Sequence, residues 1–302
     1  MDISWDDARV FLAVAESGSF SGAARALRMG QPTVSRRIAE FEQALGVVLF
    51  NRGRRGAALT TDGERLLTSA RQMARWAVEF ERALAGGEDG AQGPVRLTAP
   101  PGIAFEFLVP FCAGLRARHP GIRLDLLATV DYLDLTLGQA DLAIRGKPAS
   151  EPGVETLYQL EVPVGVFASP AYRARLPEGP LEVGDLDWIC WAGAKARLMP
   201  RPQLEALIPG FEPAFAADDY LIQVRACQAG LGAMFRGRIR HPLMADMGLV
   251  ELPVALPPVT DHIYLVGARS MQHVPRVRAV IEALIDALDD TVRLRPRGMN
   301  GG

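Results

Sequence analysis

Residues 31–50 read QPTVSRRIAEFEQALGVVLF. Val34, Ile38, Phe41 and Leu45 recur at steps of four, three and four, the signature of one apolar stripe along a helix. The opposite side of its first turns carries Gln31, Thr33, Ser35, Arg36 and Arg37. Pro32 falls in the first turn, where backbone N–H groups have no intrahelical partner and proline is tolerated. The stripe is accounted for as core, which leaves a polar, basic helix end to explain.

Upstream, Trp5, Ala8, Leu12 and Ala15 share one face of a helix that Gly18 stops. Ser21 offers an N-cap for a short second helix through Ala23, Ala24, Ala26 and Leu27. The small Ala23 and Ala24 permit close helix approach, and the turn LRMG ends at Gly30. Two short helices joined by a tight turn, the second with a polar N-terminal face, describe a helix-turn-helix. After Gly46, VVLFNRGRRGAALT reads as two short strands around an Arg- and Gly-rich tip, a wing. Thr61-Asp62-Gly63-Glu64 reads as a capping box opening a long helix. Along that helix Leu66, Ala70, Met73, Ala77, Phe80 and Leu84 form a coiled-coil seam. The seam serves a second copy of the chain or an intramolecular packing face; its alternating alanines favour close helix approach, and dimerisation is the favoured reading. GGEDGAQGP (86–94) is a flexible linker and the best domain boundary.

From Val95 onward short strand-like runs (VRLTA, IRLDLLA, DLAIR, VPVGVFA, WICW, IYLVGA) alternate with helical ones, an α/β pattern. At 302 residues the chain can hold two or three domains with proper cores. The net charge of −2 excludes a uniformly basic coat but not a basic patch. Between residues 25 and 55 stand Arg25, Arg28, Arg36, Arg37, Arg52, Arg54 and Arg55 against only Glu40 and Glu42. The acidic start MDISWDD and the absence of a long apolar run argue against a signal peptide or a membrane span, so a cytoplasmic protein is expected. Cys112, Cys190 and Cys227 are far apart and fit a reducing compartment and structural roles. His119, His241, His262 and His273 lack metal-ligand spacing, and no nucleophile elbow, P-loop or dinucleotide fingerprint is present, so neither a metal nor an enzyme is expected.

FLAVAESGSFSGAARAL, QPTVSRRIAEFEQALGVVLFNR and LTTDGERLL together resemble the LysR-type transcriptional regulators of bacteria, whose layout then covers essentially the whole chain. The resemblance implies a winged helix-turn-helix over 1–60, a linker and dimerisation helix over 61–86, a hinge at 87–93 and an α/β effector domain over 94–295, followed by a tail at 296–302. The effector domain would resemble periplasmic binding proteins, with one lobe formed by about 94–161 and 266–295 and the other by 162–265. Gln31, Pro32, Thr33, Ser35, Arg36 and Arg37 would then face a DNA major groove, where Gln pairs with adenine and Arg with guanine or phosphate. Ser19 and Ser21 would hold a phosphate, and Arg52, Arg54 and Arg55 would carry the wing to the flanking backbone. Gly30, where the family often has serine, remains an adequate N-cap.

The same resemblance places a small-molecule effector, of unassigned identity, in the cleft between the lobes. Its expected contacts are the helix-opening loop at Pro101, Gly102 and Ile103, the strand ends at Thr129, Val130, Arg145 and Trp191, and the neighbourhood of Asp218. Gly102 stands where family members often carry Ser or Thr, which removes one hydroxyl donor. Asp218 and Asp219 read equally as a helix N-terminus. Expected partners are double-stranded DNA, the effector, RNA polymerase and further copies of the chain, as a dimer through the linker helix and a tetramer; no membrane and no cofactor are expected. The competing readings are a DNA-binding regulator indifferent to small ligands and a solute-binding or enzymatic α/β protein.

Overall fold

The computed structural model describes residues 4–53, 56–84, 91–239, 241–244 and 246–293; residues 52, 75, 78–79, 81–84 and 291–293 are described by backbone alone. The chain divides into two compact units, one of residues 1–89 with 134–139, the other of 90–133 with 140–302.

The first unit begins with α1 (Trp5–Ser17), capped by a reciprocal Ser4–Asp7 box and ended by Gly18 in the left-handed region. Its buried face is Ala8, Phe11 and Val14 with Val10; of the expected face Ala8 is buried and Ala15 packs against the core, while Trp5 and Leu12 are only half-buried. The large Phe11 decides this, because its ring meets both Phe41 and Phe50. Helix α2 (Phe20–Leu27) starts two residues earlier than the reading with Ser21 as its cap. Its N-cap is Ser19, whose Oγ accepts from the Gly22 N–H at 3.0 Å, and Ser21 lies exposed within the first turn. The turn to α3 (Gln31–Leu45) passes through Arg28 at φ 54°, the only left-handed non-glycine residue among those described. Gly30 is the N-cap, and Val34, Ile38 and Phe41 are buried as their spacing predicts.

The wing strands β1 (Phe50–Gly53) and β2 (Gly56–Leu59) pair antiparallel, from Phe50 opposite Leu59 to Gly53 opposite Gly56. Glu42, near the end of α3, accepts from the N–H groups of Leu49 (2.7 Å) and Phe50 (3.1 Å), which fixes where the wing leaves. The returning strand is pinned by Ala57 N–H to Gly18 carbonyl, 2.8 Å. Gly56, at φ 120°, makes this approach possible: a Cβ there would lie 2.4 Å from the Gly18 carbonyl oxygen. Helix α4 (Thr61–Leu84) is capped by Thr60, not Thr61: the Thr60 Oγ1 accepts from Gly63 N–H and donates to the Val48 carbonyl. The position three residues after the cap is therefore Gly63, and the expected box does not form. The seam on α4 is also split. Ala70 is buried in the unit's own core with Leu66 packed against it, whereas Met73 and Phe80, joined by Trp76, are exposed. Leu84 of the seam lies outside the described side chains.

In the second unit β3 (Gly93–Ala99) is flanked by parallel β4 (Ile122–Ala128) and β5 (Leu142–Arg145). Between β3 and β4 run α5 (Pro101–Ile103), a π turn (Ala104–Leu108) and α6 (Val109–Arg118). The long β6 (Val154–Ala168) and β11 (Thr260–Ala268) pair antiparallel from Val154 to Pro163, and β11 also flanks β5. From Val164 onward β6 changes partners, to β9 (Met234–Gly237) and β10 (Val250–Glu251). The partner change divides the sheet into two lobes joined by β6 and by the chain entering β11. The second lobe adds the parallel pair β7 (Ile189–Trp191) and β8 (Phe215–Ala217), with helices α7 (Pro170–Arg173), α8 (Arg201–Leu207) and α9 (Tyr220–Gln228). The closing α10 (Pro275–Arg293) returns to the first lobe, burying Val277, Val280, Ile281, Leu284 and Leu288. Its Arg276 donates from Nε to the Pro94 carbonyl of β3 at 2.6 Å. No helix among the described residues is long and apolar enough to cross a membrane.

Candidate functional site

The polar end of α3 is presented outward by the burial of its opposite face. Gln31, Pro32 and Arg36 are exposed, and Thr33 and Ser35 are half-buried at the edges of that surface. Arg36 is 73% exposed and only loosely paired with Glu40 at 3.8 Å, so its guanidinium is available to an external anion. Arg37 is turned differently. Its side chain is 33% exposed and reaches Asp6 at 3.5 Å, which ties α3 to the start of α1. Ser19 spends its hydroxyl oxygen on the cap of α2, while Ser21 is open to solvent. Arg54 and Arg55 lie outside the described residues, and Arg52 is placed by its backbone alone, opposite Ala57.

In the second unit two adjoining cavities, of about 270 and 310 Å³, share Pro100, Val130, Gly146, Trp191, Met199 and Asp261. They lie where the lobes face each other, at the carboxyl ends of β3, β4 and β5, where open α/β sheets place ligands. Pro101, Gly102, Ile103, Val130 and Trp191 line the first cavity; Thr129, Val130, Arg145 and Trp191 line the second. Asp218 lines neither. It is exposed, and its carbonyl accepts from Lys195 Nζ at 2.7 Å, while Asp219 caps α9. The reading of this pair as a helix start is the one the geometry supports.

Arg145 is 5% exposed, and its donors are committed to the protein. It grips Glu151 bidentately (2.9 and 2.8 Å), donates to the carbonyls of Lys147 and Pro148, and stacks beneath Tyr132. The Arg145 bonds hold the Glu151 carboxyl down at about 2, against an ordinary 4.5. Gly102 is packed against Tyr220: a Cβ at this position would stand 3.0 Å from the Tyr220 ring, so a serine or threonine would need the ring to shift by a few tenths of an ångström.

The same tyrosine belongs to a cluster that sequence reasoning missed. Tyr220 donates to Glu106 Oε1 at 2.6 Å, and Arg236 is paired with Glu106 Oε2 in a very short contact. Glu106 comes from the π turn of the first lobe; Tyr220 and Arg236 come from α9 and β9 of the second. Burial, and then the Glu106 charge, push the Tyr220 phenol well above its usual range. Arg236 loses by burial but gains more from Glu106, so its pKa is raised. The contacts lie 114 and 130 residues apart in sequence, beyond any local pattern; the one available signal was a lone glutamate inside the apolar run AFEFLVPF. Burial raises all three thiols, Cys190 to about 11 and Cys227 to about 12, so almost no thiolate is present for redox chemistry. Among the described residues no group of His, Cys, Asp and Glu could hold a metal ion.

Two family models match the chain: the bacterial regulatory helix-turn-helix of the lysR family over residues 5–64, and the LysR substrate binding domain over 88–289. An HTH-type transcriptional regulator of Xanthomonas campestris is 28% identical over 94% of this chain and 85% of its own length. The HTH-type transcriptional activator IlvY of Salmonella typhimurium is 34% identical over 60% of this chain and 62% of its own length. The solved structure of a full-length OxyR variant from Pseudomonas aeruginosa covers all of both chains with a TM-score of 0.67 at 20% identity, a likeness of fold. The chain therefore belongs to the LysR family: a DNA-binding transcriptional regulator, not an enzyme, with an N-terminal helix-turn-helix and a C-terminal α/β domain of the kind that binds small effectors.

Proposed function

We propose that this regulator acts in the cytoplasm as a homo-oligomer on an inverted-repeat operator and answers to a small molecule held between the lobes of its effector domain. The outward face of α3 carries the reading, since Gln31, Pro32 and Arg36 are exposed directly opposite a fully buried stripe. That face enters the major groove, with Thr33 and Ser35 at its margin. Ser21 and the backbone around Ser19 meet a phosphate, and Arg52, Arg54 and Arg55 extend the contact through the wing. Arg37 orients α3 through Asp6 rather than reading a base.

Dimerisation uses the outer part of α4, where Met73, Trp76 and Phe80 (68% exposed) form an apolar strip. A two-fold dimer presents two α3 helices to two half-sites, and a tetramer and contact with RNA polymerase follow the family pattern. Effector binding between the lobes shifts the population of DNA-bound arrangements, which requires a ligand that prefers one of them. Footprinting on the DNA flanking the protein's own gene tests this. A protected inverted repeat is expected, with affinity falling by ~10³-fold or more between 50 and 200 mM salt, as for several phosphate contacts. Weak binding, equal on every sequence, would count against the reading.

A further inference from the structure

The larger apolar share of the cleft belongs to the first cavity, walled by Leu160, Val162, Val164, Phe235, Ile239 and Ile263. Charged groups also line it, and the arginine among them is already ion-paired, although the buried Nε of that side chain has no hydrogen-bond partner. Arg236 is bonded to Glu106, and Tyr220 completes the cluster. In the adjoining cavity Arg145 is closed in by Glu151, two carbonyls and the Tyr132 ring. His262 faces Glu161 at 3.8 Å. Lys195 is drawn off over the Trp191 ring to the Asp218 carbonyl. The acids at the cavity walls, Asp261 beside both and Asp131 in the second, would repel an anion.

The helix start facing the cleft is also poor in donors. Pro100 stands at the N-cap and Pro101 at the first helical position, so two of the four N–H groups an α-helix normally leaves free there do not exist. Only the N–H groups of Gly102 and Ile103 remain, and the Tyr220 ring crowds the position of any side chain at Gly102. A carboxylate entering this cavity would lose its hydration and meet no lining cation that lacks a carboxylate partner; the donors left to it are the buried Arg236 Nε–H and the N–H groups of Gly102 and Ile103, too few to repay the loss of a full hydration shell.

We infer that the first cavity takes a small uncharged, mainly apolar ligand of one or two ring systems and discriminates against carboxylates and other anions. The inference rests on the cleft being the effector site. At about 270 Å³ the cavity sits near the lower end of ligand-pocket sizes, which sets the ring count.

The test uses two dyes with one ring framework, uncharged N-phenyl-1-naphthylamine and its sulfonated relative 1-anilinonaphthalene-8-sulfonate, titrated by fluorescence into the purified full-length protein. The uncharged dye is expected to saturate at one site per chain, with a Kd at least about tenfold below that of the sulfonate. Val162→Trp, which fills the cavity from β6, or the gentler Ile239→Trp, should abolish its binding while far-UV dichroism stays native. Glu106→Gln should uncover the charge of Arg236 and tighten the sulfonate by about tenfold. Sulfonate binding as tight as the uncharged dye in the wild type, blocked by the tryptophans, overturns the ligand class but leaves the cleft as the site. An unchanged dye ratio in Glu106→Gln likewise overturns the ligand class. Absence of binding, or binding indifferent to both tryptophans, overturns the cleft assignment itself.

Discussion

Removing the carboxylate of Glu106 strips two buried partners at once. Glu106 is 4% exposed and Arg236 16%, so Glu106→Ala leaves a mostly buried guanidinium without its counter-charge and a buried phenol without its acceptor. Breaking a buried ion pair from one side costs about 3–5 kcal/mol, and the orphaned hydroxyl adds about 1. The residual exposure of Arg236 admits some water and draws the total toward the low end, about 4 kcal/mol. For a domain of roughly 200 residues each kcal/mol moves Tm by about 2–4 °C, so a fall of roughly 8–12 °C is expected in a thermal melt of the full chain at pH 7. The triple variant Glu106→Leu, Tyr220→Phe, Arg236→Met should recover most of that loss, because apolar replacement of a whole buried pair is close to neutral. A single variant melting within about 2 °C of wild type, or a triple no better than the single, would refute the view of this cluster as a mutually compensated set.

The Arg145–Glu151 pair makes a pH-dependent contribution of known sign. The Glu151 carboxyl is depressed from 4.5 to about 2, so its stabilisation is whole above the unfolded value and is lost as the pH falls toward 2. Glu151 is 46% exposed, which screens the pair to about 1 kcal/mol; denaturant melts should show the wild-type advantage over Glu151→Gln at pH 7 disappearing across that window. Gly56→Ala should cost at least about 2 kcal/mol in the N-terminal unit and weaken DNA binding with it, since the new Cβ meets the Gly18 carbonyl at 2.4 Å in a left-handed position. Ser19→Ala should destabilise by about 1 kcal/mol, whereas Ser21→Ala leaves Tm unchanged, because only Ser19 caps α2. The reverse order in a melt would show that the cap is misassigned.

Local periodicity carried the first unit well. The stripe Val34, Ile38 and Phe41, the glycine stops at 18 and 46, and the strand pair around the wing each follow from neighbours a few residues apart. The errors there are the face of α1, where Phe11 displaces Trp5 and Leu12, and two cap choices between chemically equivalent candidates: Ser19 against Ser21, Thr60 against Thr61. The Thr60 choice is tied to a distant contact, since its hydroxyl also reaches the Val48 carbonyl. In the α4 seam, spacing alone could not show that Ala70 is consumed by the unit's own core while Met73 and Phe80 stay exposed. The cleft was legible as a place but not as chemistry. Strand ends located Val130 and Trp191, yet the state of Arg145 depends on Glu151 folding back, and that of Gly102 on a tyrosine from the other lobe.

Sequence recognition is assigned to the exposed face of α3. The most direct measurement compares wild type, Gln31→Ala and Arg36→Ala on the protected operator and on a scrambled duplex of equal length, at several salt concentrations. A residue that contacts a base should lose about 1–3 kcal/mol on the operator and little on the scrambled duplex, while one that contacts phosphate should weaken both and reduce the salt slope by about one. At least one of the two variants should show the first behaviour. Equal, undiminished discrimination by both variants would contradict the account and place sequence recognition elsewhere in the chain.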